Sequence, residues 1–203
     1  ELILDGAYGK ANIKMTQVLK DMDASNEHLV KLVDEFLDIS HIEQGKVKFV
    51  YKNADMNKIV EDVIKDLKEK ADAQRMKIVW KANQDLEPIS MDEEKIHHVI
   101  YNYIDNALKY ASKGRVEVVL ERDGDGVVCR VKDRGAGFDK KDEANFFQKF
   151  YRGENVKHMD VNGTGLGLYV CRKFIEAHNG HVWAHSRGLG KGSEFGFKIP
   201  LKK

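Results

Sequence analysis

The sequence has 203 residues, of which 42% are hydrophobic and 33% are charged, a composition typical of one globular domain plus a smaller element. Its 34 basic and 33 acidic residues leave a formal net charge of +1, which argues against a nucleic-acid binder that works through bulk charge. Cys129 and Cys171 give neither a disulfide framework nor a CxxC metal motif, so we expect core cysteines in a reducing compartment. No apolar run approaches the length of a membrane span. Because the first residue is Glu1 rather than Met, we expect a fragment of a longer protein.

The first 45 residues have the pattern of a helical hairpin. From Asn12 to about Gln44, apolar residues recur at alternating steps of four and three, the spacing of a bundle seam. Gly45 is placed to end this helix. "GAYGK" (6–10) predicts a turn, and "ELILD" (1–5) predicts the last turn of a preceding helix. We therefore interpret residues 1–45 as a partial helical hairpin whose apolar stripe needs a partner. The stripe comprises Met15, Leu19, Met22, Asn26, Leu29, Val33 and Phe36.

Residues 46–203 alternate irregularly between strand and helix patterns. Strands are predicted at 46–52, 76–82, 181–187 and 192–200, with a short extended piece at 87–91, and a hairpin at 114–135 turns around Asp123-Gly124-Asp125-Gly126. Helices are predicted from Met56 to about Gln74, from Glu93 to about Ser112, and from Gly165 to about His178, where Gly180 stops the helix. Asp55 and Asp92 are the expected caps of the first two. A polar, irregular stretch covers 139–162. This order predicts an α/β two-layer sandwich with a largely mixed or antiparallel sheet.

The helix predicted at 93–112 carries an unusual polar face. Its apolar residues, which should pack on the sheet, are Ile96, Ile100, Tyr103, Ile104, Ala107, Leu108 and Ala111. The opposite face presents His98, Asn102, Asn106 and Lys109. A carboxamide oxygen can ligate Mg²⁺ without adding charge, and a lysine one turn further can reach a phosphate. The alternative is a solvated face with incidental asparagines, which is the commoner explanation for any single Asn.

Two later stretches carry further candidate residues. In "VKDRGAGFD", Asp133 ends a strand before Gly135 and Gly137, so its carboxylate is placed to accept from an exocyclic amine such as that of adenine. The alternative there is a tight turn with a solvated aspartate. In "FFQKFYRG", Phe147 and Phe150 either anchor a mobile segment or belong to the core, and Arg152 either reaches a terminal phosphate or lies on the surface.

The stretch "VNGTGLGLYV" places three alternate glycines at the start of a helix. Such glycines permit close approach of an anion to free N–H groups, although a helix that follows a flexible loop looks much the same. The glycines lack the following Gly-Lys-Ser/Thr of a P-loop. They also do not directly follow a strand inside a βαβ unit with a downstream acid, so the dinucleotide fingerprint does not fit.

Together these motifs resemble those of bacterial sensor histidine kinases, in the same order. "NYIDNALKY" resembles the N box, "DRGAG" the G1 box, "FFQKFYRG" the F box, "GTGLGL" the G2 box and "GKGSEFGF" the last glycine motif. "HLVKLVDEFLDISHIEQGKV" (28–47) resembles the second helix of the dimerisation and phosphoacceptor domain. The resemblance covers essentially the whole chain. It implies residues 1–45 as part of that hairpin, and residues 46–203 as a catalytic ATP-binding domain with the fold of gyrase, Hsp90 and MutL.

The resemblance also implies roles for individual residues. Asn106 would ligate Mg²⁺, and Asp133 would read the adenine amine. Residues from about Tyr151 to Asn162 would form a lid over ATP. The full set of implied nucleotide-binding residues is Asn102, Asn106, Lys109, Tyr110, Asp133, Gly135, Gly137, Arg152, Gly153, Gly163, Thr164, Gly165, Leu166, Gly167 and Leu168.

One expected feature is absent from the 203 residues. The family's acceptor histidine lies in a motif like His-Glu-x-x-Thr-Pro, which this sequence lacks, and His28 and His41 do not have that context. His178, His181 and His185 receive no role, and no catalytic residue is identified. We therefore expect a cytoplasmic fragment that binds ATP and Mg²⁺ but does not phosphorylate itself, with any membrane anchor in other segments of the parent. The implied partners are a response-regulator receiver domain and, in the full-length parent, a second copy of the chain.

Two alternative functions remain at this point. A degenerate kinase would act as a scaffold on a partner kinase or regulator. An ATPase or serine kinase of the same superfamily is the other alternative. The superfamily's ATPases carry a water-activating glutamate where this sequence has Asn102, and the long first helix disfavours the compact serine kinases.

Overall fold

The computed structural model describes residues 12–111, 114–153 and 163–201. The predicted helix end at 1–5, the turn at 6–10 and most of the predicted lid (154–162) lie outside these ranges. The chain divides into two compact units, residues 1–47 and 48–203. The predicted division was after residue 45. None of the described helices is both long enough and apolar enough to cross a membrane.

The first unit contains one long helix, α1 (Ile13–Glu43). It begins at Asn12, whose side chain accepts a hydrogen bond from the Met15 N–H at 2.9 Å. It ends where Gly45 adopts a left-handed backbone with φ of 63°, as predicted. The apolar side chains of the stripe that the structure describes as exposed are Met15, Met22, Leu29, Val33 and Phe36. An apolar stripe left in water is unfavourable, so this face fits a helical partner.

The second unit is built on a five-stranded sheet with the order β2-β4-β5-β7-β6. Its strands are β2 (Lys77–Trp80), β4 (Arg115–Asp123), β5 (Gly126–Lys132), β6 (His181–His185) and β7 (Glu194–Pro200). β2 and β4 are parallel, and the other neighbours are antiparallel. The predicted hairpin is confirmed, with Gly124 at a left-handed φ of 60° in a two-residue turn. A separate two-stranded sheet pairs β1 (Lys52–Ala54) with β3 (Ile89–Met91).

Three helices form the second layer: α2 (Met56–Ala73), α3 (Glu93–Tyr110) and α5 (Gly167–Ala177). α3 packs between the other two and against β4 and β5. A one-turn helix, α4 (Lys140–Glu143), lies in the stretch predicted to be irregular. The α/β sandwich predicted from the sequence is therefore confirmed. Both cysteines are buried core residues, and burial raises the pKa of the Cys129 thiol to about 12.

The segment 46–52 is not the strand that its alternation predicted, because its polar groups bind elsewhere. The Val50 N–H donates to Oδ2 of Asp92 at 2.7 Å, and the Tyr51 hydroxyl donates to the carbonyl oxygen of Ala177 at 2.7 Å. These bonds join the segment to the start of α3 and the end of α5. Only Lys52–Ala54 pairs as a strand.

Asp92 caps α3 as predicted and also joins that helix to α5. Its Oδ1 accepts from the Lys95 N–H at 3.1 Å, and its own N–H donates to Nε2 of His178 at 2.9 Å. Nδ1 of His178 lies 2.7 Å from the Phe174 carbonyl oxygen, which can only accept. The imidazole is therefore neutral with its proton on Nδ1. His178, to which the sequence assigned no role, is a buried structural residue.

The end of α5 differs in one detail from the prediction. Asn179, not Gly180, adopts the left-handed conformation, with φ of 58°. Gly180 is needed for packing instead, because a Cβ there would lie 2.3 Å from the Lys198 carbonyl oxygen of β7.

We expect Tyr103→Phe to stabilise the protein and Tyr51→Phe to destabilise it, although each change removes one hydroxyl. The Tyr103 hydroxyl is buried and has no hydrogen-bond partner among the residues that the structure describes, whereas the Tyr51 hydroxyl donates to Ala177. An unsatisfied buried hydroxyl costs about 1–3 kcal/mol, and a typical hydrogen bond contributes about 1 kcal/mol. Urea unfolding should show the free energy of unfolding shifting in opposite directions. A loss of stability in Tyr103→Phe would contradict this account.

Candidate functional site

The polar face of α3 meets the first turn of α5. Asn102 and Asn106 lie one helical turn apart, and Nδ2 of Asn106 donates to Oδ1 of Asn102 at 2.9 Å. Oδ1 of Asn106 accepts no hydrogen bond from any described residue. The two side chains therefore lie on one face of α3, as the sequence predicted. The hydrogen bond between them leaves Oδ1 of Asn106 available to a ligand.

Gly167 allows this approach of the two helices. A Cβ at Gly167 would lie 2.4 Å from Nδ2 of Asn102, so a larger residue would displace the asparagine or the helix. Leu166 occupies the N-cap position of α5, and no side chain in the described part of the chain caps this helix by a hydrogen bond. The first N–H groups of a helix have no partner within the helix. The N–H groups of the first turn of α5, which point out of the helix end, therefore lie beside the Asn102 carboxamide.

The backbone of the loop before α5 packs closely against the segment around Phe150. Gly165 has a left-handed φ of 73°, and a Cβ there would lie 2.8 Å from the carbonyl carbon of Phe150. The Leu166 side chain is buried, and its N–H donates to the Thr164 hydroxyl at 3.1 Å. Gly163 lies near the end of α3, since its Cβ position is 3.7 Å from the Tyr110 hydroxyl oxygen. Leu168 is half-buried.

Lys109 is held in an ion-pair cluster that the sequence analysis did not identify. Its Nζ lies 2.6 Å from Oδ2 of Asp105, and Nζ of Lys70 on α2 binds Oδ1 of the same carboxylate. Burial acts to raise the pKa of Asp105, but hydrogen bonds and charge from Lys109 and Lys70 outweigh it and lower that pKa. The i,i+4 spacing of Asp105 and Lys109 is a signal that was present in the sequence. Lys70 lies 35 residues away and gave none.

Asp133 lies in the loop after β5 and is oriented by that loop. Its Oδ1 accepts from the Gly135 N–H at 2.6 Å, and Ser193 also hydrogen-bonds to the carboxyl. Burial raises the pKa of Asp133, and these hydrogen bonds partly offset that effect. A carboxylate has about four lone-pair directions, so Asp133 retains capacity for a further donor.

The two glycines after Asp133 are explained by packing within the protein. A Cβ at Gly135 would lie 2.3 Å from the Tyr110 carbonyl oxygen, and one at Gly137 would lie 2.3 Å from the Gly188 carbonyl oxygen. The Ala136 N–H donates to the same Tyr110 oxygen at 3.2 Å. The Asp133 loop is thereby attached to the C-terminal end of α3, the helix that carries the asparagines.

The aromatic stretch at 146–151 differs from the prediction. Phe147 is buried, but Phe150 is 66% exposed and has a left-handed φ of 60°, so it does not anchor the segment. The chain forms turns there, so helical spacing does not apply. Phe146 packs instead, with its ring centroid 4.5 Å from that of Phe138. Arg152 is half-buried and Gly153 is buried, immediately before the residues that the structure does not describe.

The arrangement therefore combines three features around α3. Carboxamides and helix N–H groups meet at Asn102 and Gly167, a lysine cluster surrounds Asp105, and an oriented carboxylate follows β5. The first two suit an anion with a metal ion, and the third suits an amine donor.

Comparison with known proteins gives the family. The family model for the histidine kinase-, DNA gyrase B-, and HSP90-like ATPase matches residues 91–203. The circadian input-output histidine kinase CikA of Synechococcus elongatus is 28% identical over 201 residues, which are 98% of this chain and 26% of that protein. The sensor histidine kinase WalK of Bacillus subtilis is 30% identical over 209 residues, 100% of this chain and 33% of that protein. The chain thus spans about a quarter to a third of the length of these relatives.

Solved structures agree with the fold. Full-length ShkA, crystallised in complex with AMPPNP, has a TM-score of 0.81 and 24% identity over 96% of this chain and 40% of that chain. The catalytic domain of the histidine kinase ThkA has a TM-score of 0.64 and 26% identity over 77% of this chain and 97% of that chain. The family match covers more than half of the sequence. This protein therefore belongs to the histidine kinase-, DNA gyrase B- and HSP90-like ATPase family, and it contains a histidine kinase catalytic domain.

Proposed function

We propose that residues 48–203 bind ATP with Mg²⁺ and serve as the catalytic domain of a sensor histidine kinase. The observation that carries this proposal is the meeting of Asn102 and Asn106 with the uncapped N-terminus of α5 across Gly167. That junction offers neutral oxygens to a metal ion and N–H donors to phosphates. The ShkA structure in complex with AMPPNP supports a nucleotide as the ligand.

The residues fit a magnesium nucleotide. Oδ1 of Asn106 is a hard oxygen donor without a hydrogen-bonded partner in the described part of the chain, which suits Mg²⁺. Within 12–111, 114–153 and 163–201, no three His, Cys, Asp or Glu side chains form a cluster that could hold a metal ion. Mg²⁺ would therefore depend on Asn106 together with the phosphates, as is usual for this ion.

The other residues would orient the nucleotide. Asn102 would assist the phosphates or the waters of the ion, and Lys109 and Tyr110 would contact the phosphate and ribose. Asp133 would accept from the adenine amine, in a loop whose shape depends on Gly135 and Gly137. Arg152 and Gly153 would lie at the start of the lid. The remaining residues of the set wrap the phosphates, namely Gly163, Thr164, Gly165, Leu166, Gly167 and Leu168.

The chemistry proposed is transfer rather than hydrolysis. Bound ATP would supply the γ-phosphoryl group. Asn102 cannot remove a proton from water, and it stands where the ATPases of the superfamily carry a glutamate, so ATP would persist until an acceptor arrives. Positioning and neutralisation of charge then dominate the rate of phosphoryl transfer.

The acceptor and partners belong to the whole kinase. The 203 residues contain no His-Glu-x-x-Thr-Pro motif, so the acceptor histidine would be supplied by another segment. From that histidine the phosphoryl group would pass to an aspartate of a response regulator, in the cytoplasm where ATP is available. A structure of ThkA in complex with the response regulator TrrA supports this class of partner. The exposed stripe of α1 would pair in a homodimer of the full-length protein.

We expect saturable binding of a non-hydrolysable ATP analogue that weakens in Asp133→Ala. Loss of a hydrogen bond to a charged group costs about 1.5–3 kcal/mol, which corresponds to about a tenfold to hundredfold weaker affinity. Calorimetric titration checks this result, with Asp139→Ala as the matched control, since Asp139 is exposed and its side chain caps no helix. Failure of the wild type to bind would instead favour the scaffold function.

We expect Asn106→Ala to remove most of the gain in affinity that Mg²⁺ provides. The variant lacks the carboxamide oxygen proposed to ligate the ion, but it keeps the adenine contacts. The same titration, repeated with Mg²⁺ and with a chelator, measures this difference. An unchanged Mg²⁺ effect in the variant would exclude Asn106 as the ligand.

We expect the 203-residue protein alone to turn over ATP slowly and to form no phosphohistidine. Phosphohistidine should appear when a helix carrying the acceptor motif is joined to residue 1. Labelling with radioactive ATP and measurement of phosphate release check both parts. Fast turnover without an acceptor would instead indicate an ATPase.

A further inference from the structure

Asp105 is a buried carboxylate that binds two lysines from different helices. Its side chain is 6% exposed, and its two oxygens are bound separately, Oδ2 by Lys109 of α3 and Oδ1 by Lys70 of α2. Lys109 and Lys70 are 24% and 38% exposed, so both lysines retain access to solvent. Asp105 immediately precedes Asn106, the proposed metal ligand.

A buried carboxylate must keep at least one close positive charge, since an uncompensated ion in a low-dielectric interior is strongly unfavourable. Either lysine alone can supply that charge. The second lysine is therefore not required to neutralise Asp105, and its presence calls for another explanation.

The proposed function places a competing demand on Lys109. A phosphate and Asp105 are both anions that attract the same ammonium group, and Nζ of Lys109 lies 2.6 Å from Oδ2 of Asp105. If Lys109 were the sole counter-ion, its movement to a phosphate would leave the buried carboxylate unpaired. The cost of that unpaired charge would weaken the affinity for the nucleotide. Lys70 occupies the other oxygen and removes the conflict.

We propose that Lys70 is a positioning residue that holds the charge of Asp105, so that Lys109 is released to the phosphates of the nucleotide. This inference rests on the proposed ATP-binding function. Lys70 lies in the last turn of α2, where the negative end of the helix dipole favours a cation. α2 packs against α3, so Lys70 reaches the N box from outside it.

The test compares ligands with and without phosphates. In Lys70→Gln, Lys109 must remain on Asp105, so the dissociation constant for a non-hydrolysable ATP analogue should rise about tenfold, whereas that for adenosine should change by less than about twofold. Lys65→Gln is the matched control, because Lys65 is exposed on the same helix and carries the same charge. An equal loss for both ligands in Lys70→Gln would mean a purely structural role and would overturn the proposal.

A second variant separates release of Lys109 from direct contact of Lys70 with phosphate. Asp105→Asn removes the charge that retains Lys109, so Lys70→Gln/Asp105→Asn should bind the ATP analogue about as tightly as the wild type. If Lys70 instead contacted a phosphate itself, the double variant would stay weak, which would overturn the proposal.

A third measurement needs no nucleotide. If the two lysines share Asp105, the losses in melting temperature of unliganded Lys70→Gln and Lys109→Gln should each be small, and the double variant should lose more than their sum. Additive losses would overturn the sharing of Asp105. If the wild type bound no nucleotide but the losses in melting temperature were still non-additive, the proposed function would be overturned, and with it the release of Lys109. A failed rescue by Asp105→Asn in a protein that binds would overturn the inference alone.

Discussion

Helix α3 packs against α2, α5 and two strands of the sheet, β4 and β5, and its apolar residues repeat at intervals of three and four. That spacing gives it one continuous face for the sheet and leaves the other side for polar groups. Its N-terminus is capped by Asp92, its middle carries Asn102 and Asn106, and its last carbonyl oxygen, that of Tyr110, accepts a hydrogen bond from the loop that follows Asp133. The relative positions of the candidate ligands are therefore set by the geometry of a single helix.

Much of this arrangement was predictable because it depends on local rules. The 3.6-residue period placed Asn102 and Asn106 on one face, and the capping preference of aspartate identified the start of α3 at Asp92. The family assignment and the sandwich fold also followed from the sequence motifs. The roles proposed for individual site residues remain predictions.

Two of the features that the sequence did not predict, the course of segment 46–52 and the pairing of Lys70, depend on contact between residues far apart in the sequence. The alternation at 46–52 resembled a strand, but the N–H of Val50 binds the side chain of Asp92, 42 residues later. A further failure concerns Phe147 and Phe150. Their spacing places both rings on one face only in a helix, whereas the chain forms turns there. Lys70 gave no signal because its partner lies on another helix. Local periodicity carries no information about such pairs.

The glycines illustrate how one pattern serves two requirements. The sequence suggested that the glycines of "GTGLGL" bring the backbone close to a ligand. In the structure, packing within the protein already requires glycine at Gly165 and Gly167, because a Cβ there would lie too close to Phe150 and to Asn102. Packing of this kind and phosphate binding are compatible, because both require a backbone unobstructed by Cβ atoms.

The junction of Asp92, His178 and Tyr51 has a mechanical consequence for α5. The C-terminal end of this helix is anchored to the start of α3 through His178 and to the segment after residue 47 through Ala177. Among the described residues, no side chain caps its N-terminal end by a hydrogen bond. The C-terminal end of α5 is therefore held by two hydrogen bonds to other parts of the fold. Displacement of the C-terminal end would break the buried hydrogen bond from Asp92 to His178 and the part-buried one from Tyr51 to Ala177, so this end of α5 keeps its distance from the start of α3.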